Sequence, residues 1–122
     1  MERGEILSTL IHFPDTGPDG KNPPGVKKDP QEKFVVVVRA KPDELFAAVV
    51  VCSTRKPKDL HKKQRSFEVF VGTAEGFDAP TVIECRWVLT VQQRHLRSSK
   101  YPKQGDAVMD RISLALADAF NI

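Results

Sequence analysis

Between Glu5 and Phe13 the apolar residues occupy both faces of an extended segment, Leu7, Ile11 and Phe13 on one and Ile6 and Leu10 on the other, which predicts a strand covered on both sides. From Pro14 the pattern stops. Five prolines and three glycines before Gln31 cannot sustain a sheet ladder and predict a long loop over residues 14–33. Phe34–Val38 and Phe46–Cys52 are short, β-branched or small apolar runs separated by Lys41-Pro42-Asp43, as in central strands. Phe67, Val69 and Val71 alternate with Glu68 and Phe70 to give a fourth strand, and Gly72 to Pro80 supplies turn residues. Thr81–Cys85 and Val88–Val91 continue the β pattern as one long strand bent at Arg86-Trp87. The period then changes: Val108, Ile112, Ala115, Leu116, Ala119 and Phe120 form a helical stripe, predicting a helix over 105–120. Gly105 breaks the chain before it, and Asp106 and Asp110 suit the positive end of its dipole. Five or six strands and one terminal helix are expected in a single domain spanning residues 1–122, with no internal repeat.

Composition adds little to this until charge is located. Of the 122 residues, 40% are hydrophobic and 29% charged, ordinary for a soluble globular chain and unlike a disordered or membrane one. The longest apolar run, Phe46 to Cys52, is far short of the roughly 20 residues that cross a bilayer. Met1-Glu2-Arg3-Gly4 leads directly into the first strand without the basic and apolar regions of a signal peptide, so a cytoplasmic, membrane-free protein is expected. Cys52 and Cys85 each lie inside an apolar run and read as small buried hydrophobes rather than a disulfide or metal pair. The net charge is only +3, yet residues 55–65 hold Arg55, Lys56, Lys58, Lys62, Lys63 and Arg65 against Asp59 alone, a local +5. The rest of the chain is therefore weakly acidic, and the positive charge is confined to one loop between two strands.

Such a loop has two readings. It can contact the phosphates of single-stranded RNA through Lys56, Lys58, Lys62, Lys63 and Arg65, with His61 among them as a proton carrier near neutral pH, or it can be a solvated segment that keeps the chain soluble. Ser53 and Thr54 end an apolar strand immediately before it. There they either position a reacting phosphate beside Arg55 or satisfy backbone groups of a turn. His12 and His95 stand alone, with no His-x-x-x-His or Cys-x-x-Cys spacing and no carboxylate cluster, so neither a metal nor a cofactor is expected. No nucleophile elbow or glycine-rich phosphate loop is present.

The order of these signals resembles the MazF/PemK (Kid) family of toxins from type II toxin–antitoxin systems. The resemblance covers almost the whole chain. Gly4-Glu5-Ile6-Leu7 followed by Phe13-Pro14 is similar to the family's opening strand, and Lys33-Phe34-Val35-Val36-Val37-Val38 stands where the family has Arg-Pro-small-Val-Val. Val51-Cys52-Ser53-Thr54 stands at its Pro-x-Thr-Ser/Thr strand end. Glu75-Gly76-Phe77 through Val82-Ile83 and Thr90-Val91 through Leu96 resemble the later segments. The resemblance implies a small SH3-like β-barrel of the MazF/PemK/CcdB type with a C-terminal helix. It also implies homodimerisation, inhibition by a cognate antitoxin, and metal-free cleavage of single-stranded RNA by attack of a ribose 2′-hydroxyl. An Arg and a Thr carry that chemistry, and they fall here on Lys33 and on Ser53 or Thr54. Lysine keeps the charge of the arginine and loses its planar fork. The Asp-Gln pair of the later strand reads Arg86-Trp87. A noncatalytic RNA- or protein-binding module on the same barrel is the alternative.

Overall fold

The computed structural model describes residues 1–11 and 30–122. His12, Phe13 and most of the predicted 14–33 loop lie outside the described residues. Among the described residues six strands, β1 (Ile6–Ile11), β2 (Gln31–Arg39), β3 (Phe46–Thr54), β4 (Glu68–Val71), β5 (Thr81–Gln92) and β6 (Arg97–Ser98), precede one helix, α1 (Asp106–Phe120). The loop prediction runs too far at its end. Gln31, Glu32 and Lys33 pair with Ile11, Leu10 and Thr9 of β1, and this pairing extends the apolar ladder of Phe34–Val38 into residues that are polar by composition.

All strand pairings are antiparallel, in the order β4-β5-β3-β2-β1-β6. The expected barrel is an open sheet among the described residues, since β4 and the two-residue β6 are its edges and do not pair with each other. Its ladder is irregular between Val37 and Arg39 of β2 and again in β5. Val50 pairs with Val88 and its neighbour Val51 with Glu84, so residues 85–87 bulge out of the ladder and the strand turns there, at the predicted Arg86-Trp87 bend.

Each face of the sheet carries its own core. On one face Ile6, Val36, Val50, Cys52, Val69, Ile83 and Cys85 pack with the α1 residues Val108, Met109, Ile112 and Ala115. Val108, Ile112 and Ala115 belong to the helical stripe read from sequence and Leu116 packs at its margin, whereas Met109 is an addition and Phe120, at the end of the stripe, is exposed; Ile112 is completely buried. Burying a side chain of that size contributes about 1.5–3 kcal/mol. The other face, with Leu7, Ile11, Val35, Val37, Ala47, Val49 and Val51, is covered by Leu89 and Val91 beyond the β5 bend and by Leu96. This double cover explains why β1 and β2 are apolar at successive positions. Burial pushes the thiols of Cys52 and Cys85 up to about 12, so neither is a nucleophile at neutral pH.

Two glycines of the N-terminal and 75–77 segments are required by geometry. Gly4 has φ +95, and a Cβ there would lie 2.8 Å from the Gln104 carbonyl oxygen. Gly76 has φ +92, and a Cβ there would run into the Pro102 ring. Gly76→Ala is therefore expected to lower the unfolding free energy by about 1–3 kcal/mol, from left-handed backbone strain and the displaced ring together. A urea titration followed by Trp87 fluorescence checks this, and a midpoint equal to wild type refutes it.

Candidate active site

Lys33 stands directly across from Thr9 of β1. On its other side Phe34 pairs with Cys52, and the next step of the same antiparallel register sets Lys33 beside Ser53. Ser53 pairs with Val82, and Val82 with Phe70. Because side chains alternate between faces, Thr9, Lys33, Ser53, Val82 and Phe70 form one row along a single face of the sheet, crossing β1, β2, β3, β5 and β4. With strands about 4.8 Å apart, its ends are separated by about 19 Å. Thr54 alternates to the opposite face, where it pairs with Thr81. The register thus brings Ser53, not Thr54, to Lys33. Ser53 and Lys33 are both half-buried, which limits their freedom without closing them to a ligand.

Arg55 takes a different place from the one its charge implies. Its Nη2 donates to the carbonyl oxygens of Asp59, Leu60 and Lys62 at 3.3, 3.0 and 3.4 Å, and its guanidinium lies 3.8 Å from the centre of the Phe70 ring. Residues 59–62 wrap around this side chain. The Nε is fully buried and has no hydrogen-bond partner among the described residues. Arg55 is thus a peg for the basic loop before it is a charge for a substrate.

The loop contains a 3-10 turn at Pro57–Asp59 and forms a cleft of about 250 Å³ floored by Phe70, with Arg55, Lys56, Lys62, Lys63 and Arg65 on its walls. Lys62 pairs with Asp59 at 2.9 Å and holds that carboxyl below the usual carboxylate range. Lys56, Lys58, Lys63, Arg65 and His61 are exposed. His61 and Lys58 do not line the cleft. The far end of the loop is clamped by residues that charge counting overlooks. Gln64 Oε1 accepts from the Phe70 amide at 2.8 Å, extending β4 by one side-chain link, and also from Arg111 Nη2 at 3.2 Å. Arg111 donates in turn to the Phe70 carbonyl at 2.7 Å, tying the loop to α1. Only Phe70 leaves a sequence signal: it is a large apolar residue at a position of β4 that alternation assigns to the face away from the helix.

At the β5 bend, Arg86 stacks on Phe67 at 4.1 Å and donates to Glu84 at 3.0 Å, while Trp87 is half-buried. Among the described residues no three of His, Cys, Asp and Glu are grouped as metal ligands. No helix among them is long and apolar enough to cross a membrane.

An antiparallel six-stranded sheet with a bulged fifth strand, a basic loop before β4 and one C-terminal helix is a mainly-β fold. Within that class it is the MazF fold. A chain of the MazE-MazF crystal structure from Deinococcus radiodurans superposes with a TM-score of 0.68, at 12% identity over 100% of this chain and 96% of that one. An endoribonuclease in complex with its cognate antitoxin from a mycobacterial species gives 0.67, at 15% identity over 100% and 96%. The Mycobacterium tuberculosis toxin MazF-mt6 gives 0.61, at 15% identity over 93% and 97%. No family model matches the sequence. No curated protein matches it either.

Proposed function

We propose that this chain is a MazF-type endoribonuclease that cuts single-stranded RNA without a metal or cofactor and is held inactive by a cognate antitoxin in the cytoplasm. The reading is supported by a sheet whose structural neighbours are endoribonucleases and MazF toxins, and in which one further step of the Phe34–Cys52 register would set Lys33 beside Ser53. The 2′-oxygen of a ribose bonds the adjacent phosphorus, the bond from phosphorus to the 5′-oxygen breaks, and the 2′-hydroxyl proton ends on the departing 5′-oxygen. The products are a 2′,3′-cyclic phosphate and a 5′-hydroxyl. The Lys33 ammonium faces the charge that grows on the non-bridging oxygens, which is where a fixed cation lowers a barrier most. Ser53 holds one of those oxygens by its hydroxyl. Lys56, Lys62, Lys63 and Arg65 bind the flanking phosphates, with Lys58 and His61 further along the loop. Detecting cyclic-phosphate ends after incubation with a mixed-sequence RNA and a chelator tests this directly, and intact RNA after hours with folded, RNA-binding protein overturns it.

A second reading is favoured by two observations. Lysine replaces the forked side chain of the resembling family at position 33, and Arg55 is committed to the loop backbone. A noncatalytic RNA- or protein-binding module on this fold would retain the basic loop and tolerate both changes.

The proposal includes a homodimer. Phe46, Val88, Leu114 and Phe120 are large apolar side chains left exposed on the single chain, between 39% and 72%, and a symmetric partner would cover such residues. Light scattering should return about twice the 13.6 kDa chain mass. The monomer mass throughout the micromolar range would exclude it.

A further inference from the structure

We infer that Gln64 and Arg111 are positioning residues for the basic loop: together they fix the backbone of Phe70, on which the loop is seated, and so set how its lysines meet RNA. The inference deepens the RNA-cleaving reading and rests on it for the ligand.

β4 is an edge of the sheet, so alternate backbone groups along its outer side face no neighbouring strand. Phe70 supplies one such pair. Its N–H donates to Gln64 Oε1 at 2.8 Å, and its carbonyl oxygen accepts from Arg111 Nη2 at 2.7 Å. The same Nη2 donates to Gln64 Oε1 at 3.2 Å, so a loop side chain and a helix side chain close a ring of three hydrogen bonds on one residue of β4. Beside it Arg65 and Glu68 bond reciprocally. The Glu68 N–H donates to the Arg65 carbonyl oxygen and the Arg65 N–H to Glu68 Oε1, both at 3.0 Å. The end of the loop is thereby laced to the sheet edge.

The other end of the loop rests on the same residue. The Arg55 guanidinium lies 3.8 Å from the centre of the Phe70 ring and holds the carbonyls of Asp59, Leu60 and Lys62. Phe70 therefore carries the loop twice, by its ring through Arg55 and by its backbone through Gln64, and it also lines the basic cleft. Arg111 is placed by α1, whose adjacent Ile112 is completely buried against the sheet. By charge alone Arg111 reads as a phosphate contact, but both acceptors of its Nη2 belong to the protein. It reaches the outer edge of β4, and β5 and β3 lie between that strand and Lys33 in β2. It acts through the loop rather than on the reacting atoms.

The test is a double-mutant cycle. Fluorescence-anisotropy titrations of a labelled dodecanucleotide, with chelator, compare Gln64→Ala and Arg111→Ala in wild type and in protein whose Lys56, Lys58, Lys62 and Lys63 are all alanine. Gln64 is exposed and uncharged, so Gln64→Ala leaves the net charge unchanged and removes no core contact. Each substitution should weaken wild-type binding about three- to tenfold, the scale of one or two ordinary hydrogen bonds. Without the lysines each should weaken it by under about twofold, because a residue that acts through them has nothing left to position. Equal losses in both backgrounds make Gln64 and Arg111 direct RNA contacts and overturn the inference, as does wild-type affinity in Gln64→Ala. Amide hydrogen exchange gives a readout independent of RNA. Exchange at Phe70 should quicken in both alanine variants and stay slow in Gln64→Glu, which keeps the acceptor oxygen; unchanged exchange in both alanine variants overturns the clamp. Wild type that binds no RNA overturns the RNA-cleaving reading, and exchange at Phe70 tells that failure from failure of the clamp.

Discussion

Lys33→Ala is expected to lower the single-turnover cleavage rate of a mixed-sequence RNA by about 10²–10³-fold, the usual effect of removing one fixed stabiliser of transition-state charge. Affinity for the same RNA should change little, because Lys33 is one cation among several that meet the phosphates. The asymmetry is the informative part. A group that acts mainly on the transition state lowers the rate at saturating enzyme, whereas a group that binds ground state and transition state alike changes only the concentration needed. Lys33→Arg separates the two functional readings further. One further step of the Phe34–Cys52 register sets position 33 beside Ser53 whichever cation occupies it, and a guanidinium can donate two parallel hydrogen bonds to a phosphate where an ammonium acts as a point charge. Cleavage faster than wild type is expected if lysine has attenuated the site. Complete inactivity of both wild type and Lys33→Arg, in protein that is folded and binds RNA, would leave the binding module as the function of this fold.

The parts of this architecture visible in the sequence are those set by local pattern. Val108, Ile112 and Ala115 announce the helix because a stripe facing one side of a sheet needs helical spacing. Arg86-Trp87 marks the β5 bend only as a break between the apolar runs Thr81–Cys85 and Val88–Val91; Ile83, Cys85, Leu89 and Val91 are in phase in the sequence, and the bulge is what sends the two halves to different faces. The start of β2 is hidden, since Gln31, Glu32 and Lys33 are polar and are drawn into the ladder by pairing with β1, a contact between residues distant in sequence. The sequence leaves Ser53 and Thr54 as alternatives for a similar reason. Adjacent strand residues point to opposite faces, and only the pairing partners tell which face holds Lys33. Arg55 is the clearest case of charge misdirecting inference. A cation beside a basic loop reads as a substrate contact, but the same guanidinium also suits three backbone carbonyls and an aromatic ring, and these lie within its own loop. Nothing in the composition of residues 55–65 distinguishes the peg from the lysines around it.

That difference predicts two distinguishable ways to weaken RNA binding. Replacing Lys56, Lys58, Lys62 and Lys63 together by alanine should lower affinity by an order of magnitude or more at fixed salt and flatten the salt slope. Each lysine in phosphate contact contributes about 0.7 to that slope, with Lys62 contributing less because Asp59 already shares its charge. Arg55→Ala removes a single charge. It should nevertheless weaken binding several-fold more than Lys58→Ala, which also removes one, because the carbonyls of Asp59, Leu60 and Lys62 lose their common donor and the loop no longer presents its lysines as a set. Arg55→Lys keeps the charge but cannot span three acceptors from a position over the Phe70 ring, so it should resemble Arg55→Ala rather than wild type. A purely electrostatic role predicts the reverse, with Arg55→Lys near wild type and Arg55→Ala equal to Lys58→Ala. Anisotropy titrations of the three single variants at several salt concentrations decide between them. Limited proteolysis within residues 56–63 gives a second readout, since only loss of the peg should expose those bonds while leaving α1 and the sheet intact.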